Sequence, residues 1–173
     1  MGKVINLFAD ASTTSKSSIP KLNQNTLYIL IGLPGSGKTT YANKCFHSKD
    51  ILIVSSDQIR QQITGSSSFN KGDTAPTLQI AQKIIQEALE SGLNVVWDAT
   101  NIYKKWRKDF IKIAKKNNAK VVAIVFNTPV SICVKRNNER TVEKQVPNEI
   151  IVEMSKASLS IDKREGFHEV IYI

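Results

Sequence analysis

Gly32-Leu33-Pro34-Gly35-Ser36-Gly37-Lys38-Thr39 satisfies G-x-x-x-x-G-K-[ST] at every fixed position, the glycine loop that cradles the phosphates of a nucleoside triphosphate. Its neighbours decide what it means. The run before it, TLYILI at 26–31, predicts a buried strand. The run after it, 39–46, predicts a helix with Tyr41, Cys45 and Phe46 on one side. Strand, loop and helix in that order aim successive backbone N–H groups at an anion held at a helix start. Side chains at Gly32, Gly35 or Gly37 are expected to block the phosphates. Lys38 brings a charge that follows the phosphate being moved, and Thr39 a hydroxyl for Mg2+. Pro34, Ser36 and Thr40 complete the expected nucleotide contacts. A plain glycine turn beside an exposed lysine is the competing reading, and the flanking strand and helix argue against it.

The chain has 173 residues, 41% of them apolar, which suits one core. A tail over 1–24 and a kinase domain over 25–173 are the expected division. The stretch ASTTSKSS at 11–18 is too small and polar to bury, so disorder is expected there; VINLF at 4–8 is a brief apolar patch. Cys45 and Cys133 stand alone, with neither disulfide nor metal spacing, which suits a reducing compartment. No apolar run approaches the ~20 residues of a membrane span. The start lacks a signal-peptide core, and Asn6 breaks the myristoylation pattern. A cytoplasmic location is therefore expected.

ILIV at 51–54 predicts a second strand running into Ser55-Ser56-Asp57-Gln58-Ile59-Arg60. In a parallel α/β sheet ligands sit beyond the carboxyl ends of the strands. Asp57 and Arg60 lie just past such an end, three apart, and share a face if a helix starts there. Asp57 could then take a proton from an attacking hydroxyl while Arg60 clamps an anionic group of the acceptor. A helix-capping Asp57 or Ser56 beside a solvated Arg60 is the equal alternative on spacing alone. The stretch 64–74 reads as a polar loop, 75–91 as an amphipathic helix ended by Gly92, and LNVVW at 93–97 as a third strand. Asp98 after it has the position of a Walker-B carboxylate for Mg2+, or of a turn former.

The next helix, 103–117, is expected to turn Tyr103, Trp106, Phe110, Ile113 and Ala114 inward, with Trp106 in the core rather than stacking on a base. Lys104, Lys105, Arg107, Lys108, Lys112, Lys115 and Lys116 form its expected outer side. A fourth strand follows at 121–126. Then comes a helix from Val130 that carries Arg136 and Arg140 on one face, either reaching over a triphosphate or merely solvated. Asn148 to Ala157 and 168–173 read as a last helix and strand; His168 is expected at the surface. Residues 100–145 hold twelve Lys/Arg and three Asp/Glu, an excess equal to the net +9 of the whole chain. A one-sided basic region fits a polyanion, and equally a well-solvated helix.

GLPGSGKT, SSDQIR, VVWDATN, VFNTPVSICVKRNNER, VPNEII and EGFHEVIYI, in this order over about 26–173, resemble the kinase domain of the polynucleotide 5′-hydroxyl kinases. They are also similar to the surrounding small P-loop kinases of the AAA_33 and zeta-toxin-like type. The resemblance implies an α/β fold, an adenylate-kinase-like parallel sheet flanked by helices with a short arginine-bearing lid. It implies transfer of the ATP γ-phosphate to the 5′-OH of DNA or RNA, as in nucleic-acid end repair, with Mg2+. By the same resemblance Lys38 and Thr39 hold phosphate and Mg2+, Asp57 is the general base, and Arg60 binds the acceptor phosphate. Arg140 stabilises the transferring phosphate with Arg136 beside it, and Asp98 is the acidic residue after the third strand. No D-x-D-x-T phosphatase motif occurs, so kinase activity alone is expected. Residues 61–74 match no family pattern. A small-molecule kinase acting on a sugar, antibiotic or nucleotide sugar, and a nucleotide-dependent nucleic-acid-binding switch, are the alternatives.

Overall fold

The computed structural model describes residues 25–157 and 161–173, so the tail expected over 1–24 lies outside the described residues. Five strands, β1 (Thr26–Ile31), β2 (Ile51–Ser55), β3 (Asn94–Asp98), β4 (Lys120–Val125) and β5 (Glu169–Tyr172), form one sheet in the order β2-β3-β1-β4-β5. Every pairing is parallel. Parallel pairing requires crossovers, and helices supply them: α1 (Lys38–Cys45), α2 (Ser56–Thr64), α3 (Thr74–Glu90), α4 (Lys104–Lys116), α5 (Val130–Asn138) and α6 (Asn148–Ser155).

The central strand explains the layering. Alternate residues of a strand face opposite sides. Leu27, Ile29 and Ile31 join a large core with Ala81, Ile85 and Leu89 of α3 and Phe110 and Ala114 of α4. Leu30, with Tyr28 packed at its edge, meets Ala42 of α1 on the other side. A third cluster lies past the strand ends, where Leu33, Ile102 and Cys133 meet Ile151 and Met154 of α6. Among the described residues no helix is long and apolar enough to cross a membrane.

Expected and observed elements coincide within a residue or two, but three side chains differ. Cys45 is exposed, because α1 is only eight residues long and buries just Lys38 and Ala42. Tyr41 and Phe46 cover that side instead, Tyr41 T-shaped against Phe126 and Phe46 tilted against Tyr28. Trp106 is only half-buried and stands outside the core, edge-on to Tyr103 at 4.8 Å between ring centroids. Arg107, expected on the solvated side of α4, is 2% exposed.

The burial of Arg107 has a backbone cause. After β3 the chain turns through Asn101 at φ 48°, a left-handed conformation that Asn tolerates better than most residues. The turn leaves the Asn101 and Ile102 carbonyls facing inward, and Arg107 Nη1 donates to both, at 2.9 and 2.6 Å. The rest of its guanidinium forks onto Glu165, Nη2 to Oε1 at 2.8 Å and Nε to Oε2 at 3.0 Å. Breaking one side of such a buried pair leaves an uncompensated charge, at a cost of about 3–5 kcal/mol. Glu165→Ala is therefore expected to lower the urea-unfolding free energy by ~3 kcal/mol, and the Arg107→Met/Glu165→Leu pair by clearly less. A loss below ~1 kcal/mol for Glu165→Ala would show that the pair is not the clamp.

Candidate active site

The P-loop begins where β1 ends. Gly32 N–H donates to Thr100 O at 3.0 Å and Asn101 Nδ2 to Leu30 O at 2.8 Å, which fixes the loop to the end of β3. Gly35 (φ +80°) and Gly37 (φ +100°) adopt backbone that side chains rarely take. A Cβ on Gly35 would collide with the Cys133 carbonyl, so the packing of α5 requires this glycine in addition to any phosphate. At Gly37 the nearest atom is Arg136 Nη1, 3.8 Å away, and the space is open. Thr128 Oγ1 donates to Ser36 O at 3.0 Å and holds the loop's far side to the β4–α5 turn.

Lys38 folds back into its own loop. Its Nζ donates to Gly32 O at 3.0 Å, Leu33 O at 2.7 Å and Ser36 Oγ at 3.3 Å, and the residue is 8% exposed. Burial lowers its pKa to about 8, Arg140 adds to the fall, and Asp98 and Asp57 oppose it. Thr39 Oγ1 donates to Asp98 Oδ2 at 2.7 Å, joining α1 to the tip of β3. Burial raises the Asp98 carboxyl above the usual carboxylate range, against the Thr39 hydrogen bond and Lys38. A hydroxyl and a carboxylate are hard oxygen donors of the kind Mg2+ takes, so this pair fits the ion.

Asp57 and Arg60 face each other on the first turn of α2, Arg60 Nη1 donating to Asp57 Oδ1 at 3.0 Å and to Ser67 O at 3.3 Å. Neither Ser56 nor Asp57 caps the helix; Ser55 holds the cap position, with no side-chain bond there. Asp57 is 56% exposed at its side chain and Arg60 11%. The two residues share one cleft with Lys38, Thr39, Asp98 and Arg140. Pro34 also lines it, whereas Thr40 is exposed and outside it.

Arg140 does not share a helical face with Arg136, because α5 stops at Asn138. The buried Asn137 ends the helix by bonding ahead, Nδ2 to Val146 O at 2.8 Å and Val146 N–H to its Oδ1 at 3.0 Å. Gln145 Nε2 then holds Arg140 O at 2.8 Å. The short loop so closed carries Arg140 over the cleft and leaves Arg136 exposed beside Gly37. Lys144, at the end of a single 3-10 turn, lines the same cleft. Sequence reasoning passed over Lys144, Asn137 and Gln145; the spacing of the two asparagine-bonded positions, nine residues apart, carries no motif.

A P-loop opening onto a carboxylate-and-arginine cleft at the carboxyl ends of a parallel sheet defines a P-loop kinase site. Residues 27–159 match the family model AAA_33, described as an AAA domain, and the chain belongs to this family of P-loop kinase domains. It is 35% identical over 135 residues to L-seryl-tRNA(Sec) kinase of Methanococcus maripaludis, covering 74% of this chain and 50% of that protein. It thus spans about half the length of that relative. A solved Pnkp1/Rnl/Hen1 RNA repair complex contains a chain that superposes with TM-score 0.68 at 24% identity, over 82% of this chain and 46% of that one. A sugar kinase from Janibacter sp. HTCC2649 superposes with TM-score 0.61 at 12% identity, over 87% and 85%. Both structural likenesses speak to the fold.

The lowered Lys38 pKa has a direct consequence. A triphosphate beside Nζ stabilises the ammonium, so the bound lysine keeps its proton to higher pH than the free one. Nucleotide binding is expected to take up a proton at about pH 8 to 9, and less as pH falls below 8. Calorimetry of the non-hydrolysable ATP analogue in buffers of different ionisation enthalpy reads this uptake. Zero uptake throughout that window would mean that Lys38 is fully charged before the nucleotide arrives.

Proposed function

We propose that this chain transfers the γ-phosphate of ATP to an alcohol, and that the alcohol is the 5′-hydroxyl of a nucleic acid. The observation that carries the reading is the single cleft shared by Lys38, Thr39, Asp57, Arg60, Asp98 and Arg140. Phosphoryl transfer needs positioning and charge neutralisation more than covalent help. Asp57 takes the proton of the acceptor hydroxyl as its oxygen bonds to Pγ; the bond from Pγ to the bridging oxygen breaks, and ADP leaves with the electron pair. Lys38 and Arg140 offset the charge that spreads over the phosphoryl oxygens. Arg60, tied to Asp57 and Ser67 O, orients the base and offers its remaining N–H groups to the acceptor's phosphate. Thr39 and Asp98 would hold Mg2+, which supplies further positive charge next to the β- and γ-phosphates.

A nucleic-acid acceptor is supported by charge. Lys104, Lys105, Lys108, Lys112, Lys115 and Lys116 of α4 are all exposed, although Arg107 is not available to a partner. The relative named for seryl-tRNA and the RNA repair neighbour point the same way. A small-molecule acceptor is the second reading, favoured by the sugar kinase that shares the fold along nearly its whole length. A nucleotide switch has less support, since Asp57 and Arg60 would then be a base and clamp with no acceptor.

With radiolabelled ATP and a 5′-OH oligonucleotide, Lys38→Ala and Asp57→Ala are each expected to lower transfer by about 100-fold or more, Asp57→Ala with ATP affinity retained. Unchanged turnover in Asp57→Ala would remove the base. Arg60→Ala is expected to raise the acceptor KM more than the ATP KM, and also to lower kcat, because Asp57 loses its tether. Labelling of sugars but of no oligonucleotide would give the small-molecule reading.

A further inference from the structure

Next to the cleft lies a second cavity of about 370 Å3, within the roughly 300–1,000 Å3 of small-ligand pockets. The two share Ser56, Arg60, Phe69, Ala99, Thr100 and Met154, so one molecule can reach from one into the other. Both tryptophans of the chain line this cavity. Among the described residues, two buried side-chain nitrogens have no hydrogen-bond partner: Trp97 Nε1 and Arg60 Nε. Both residues line the cavity, Trp97 with its ring also packed on Phe110 in the core. A buried donor left unpaired is rare and costly, and indole and guanidinium N–H groups can only donate. The cavity therefore calls for a ligand that brings hydrogen-bond acceptors inward.

The remaining walls describe that ligand further. Tyr103, Trp106 and Phe69 supply flat apolar surface, with Trp106 half-buried rather than locked in the core. Lys105 Nζ stands 5.6 Å from the Trp106 ring centroid, and Arg60 stands at the mouth shared with the cleft, where it donates to Asp57. Glu153 adds a carboxylate that accepts from an N–H or opposes an anion. Flat, uncharged, with acceptors on one edge and a donor on another: these are the properties of a nucleobase.

We infer that this cavity holds the 5′-terminal nucleobase of the acceptor, Trp97 Nε1–H donating to a ring carbonyl or ring nitrogen and Trp106 offering a stacking face. The inference rests on the nucleic-acid reading of the acceptor. It makes Trp97 and Trp106 binding residues that no motif announces. The base seated there would put the sugar's 5′-hydroxyl in the shared mouth, beside Asp57.

Two measurements on the full chain test it. The first compares a 5′-OH oligonucleotide with the same strand carrying an abasic 5′-terminal residue. Loss of the base is expected to lower kcat/KM by about 10-fold or more, the range of one base stacked on an aromatic ring. Trp106→Leu is expected to lower it by a similar factor for the normal strand, Trp97→Phe by about 5-fold, both through KM. The abasic and Trp106→Leu losses should not add, an outcome a merely structural tryptophan would not produce. Equal rates for normal and abasic strands, or fully additive losses, overturn the inference. The second measurement is tryptophan fluorescence, which here comes from two residues that both line the cavity. Nucleosides are expected to change it saturably, and Trp106→Leu to weaken their affinity. A response to a sugar but not to nucleosides, or one to ATP that nucleosides neither add to nor compete with, overturns the inference. If no oligonucleotide accepts phosphate, the 5′-kinase reading fails; a saturable nucleoside response then still upholds base binding, and its absence overturns it.

Discussion

The hydrogen bond from Thr39 Oγ1 to Asp98 Oδ2, 2.7 Å long, ties the two halves of the site together. Thr39 lies in the first turn of α1, which follows β1; Asp98 ends β3, which pairs with β1 in parallel register. Because both strands point the same way, the loop and the carboxylate emerge at the same edge of the sheet. Asp98 is nearly buried there, and burial raises its pKa while the hydroxyl of Thr39 and the charge of Lys38 hold it down. A carboxylate in such a place is costly without a cation. The Thr39–Asp98 bond thus marks a point where added positive charge is stabilised.

That arrangement depends on a loop which would otherwise be irregular. Residues 99–103 connect β3 to α4 and carry the left-handed Asn101. Arg107 satisfies two of its carbonyls, Asn101 reaches Leu30 O, and Thr100 O accepts from Gly32. Glu165, just before β5, balances the arginine. This edge of the sheet is therefore braced by a buried ion pair whose carboxylate lies 58 residues further along the chain. The brace also separates two roles on α4: one basic residue serves the backbone, the lysines around it serve the surface.

How far the chain could be read in advance follows from the kind of signal each part sends. β1, β4 and the P-loop were legible because a doubly buried strand is an apolar run and the loop is a fixed string. Asp57 and Arg60 were legible because i, i+3 spacing on a helix start turns directly into a contact. Arg107 was not, since helical periodicity assigns a cation to the solvent side and knows nothing of orphaned carbonyls from a preceding loop. The face that Arg140 was expected to share with Arg136 was not either: the i, i+4 rule applies only inside a helix, and Asn137, bonding to Val146, ends α5 too soon. Trp106 was set in the core by its period, but period names the side of a helix, and on that side lies a cavity as well as the core.

The cleft holds Lys38, Arg60, Arg140 and Lys144 against Asp57 and Asp98, an excess of positive charge that suits an anion. Such an excess repels itself, and bonds made by two of the cations offset part of that repulsion. Lys38 spends its protons on the loop's own carbonyls and oxygen, and burial lowers its pKa to about 8. Arg60 is held by Asp57. A bound triphosphate would exchange the first set of contacts for phosphate oxygens without moving the backbone that supplied them. The glycine geometry at Gly35 and Gly37 and the Ser36–Thr128 bond keep that backbone in shape. The loop is therefore organised around its lysine, and the hydrogen bonds that hold Lys38 and Ser36 also fix the backbone that would face a phosphate.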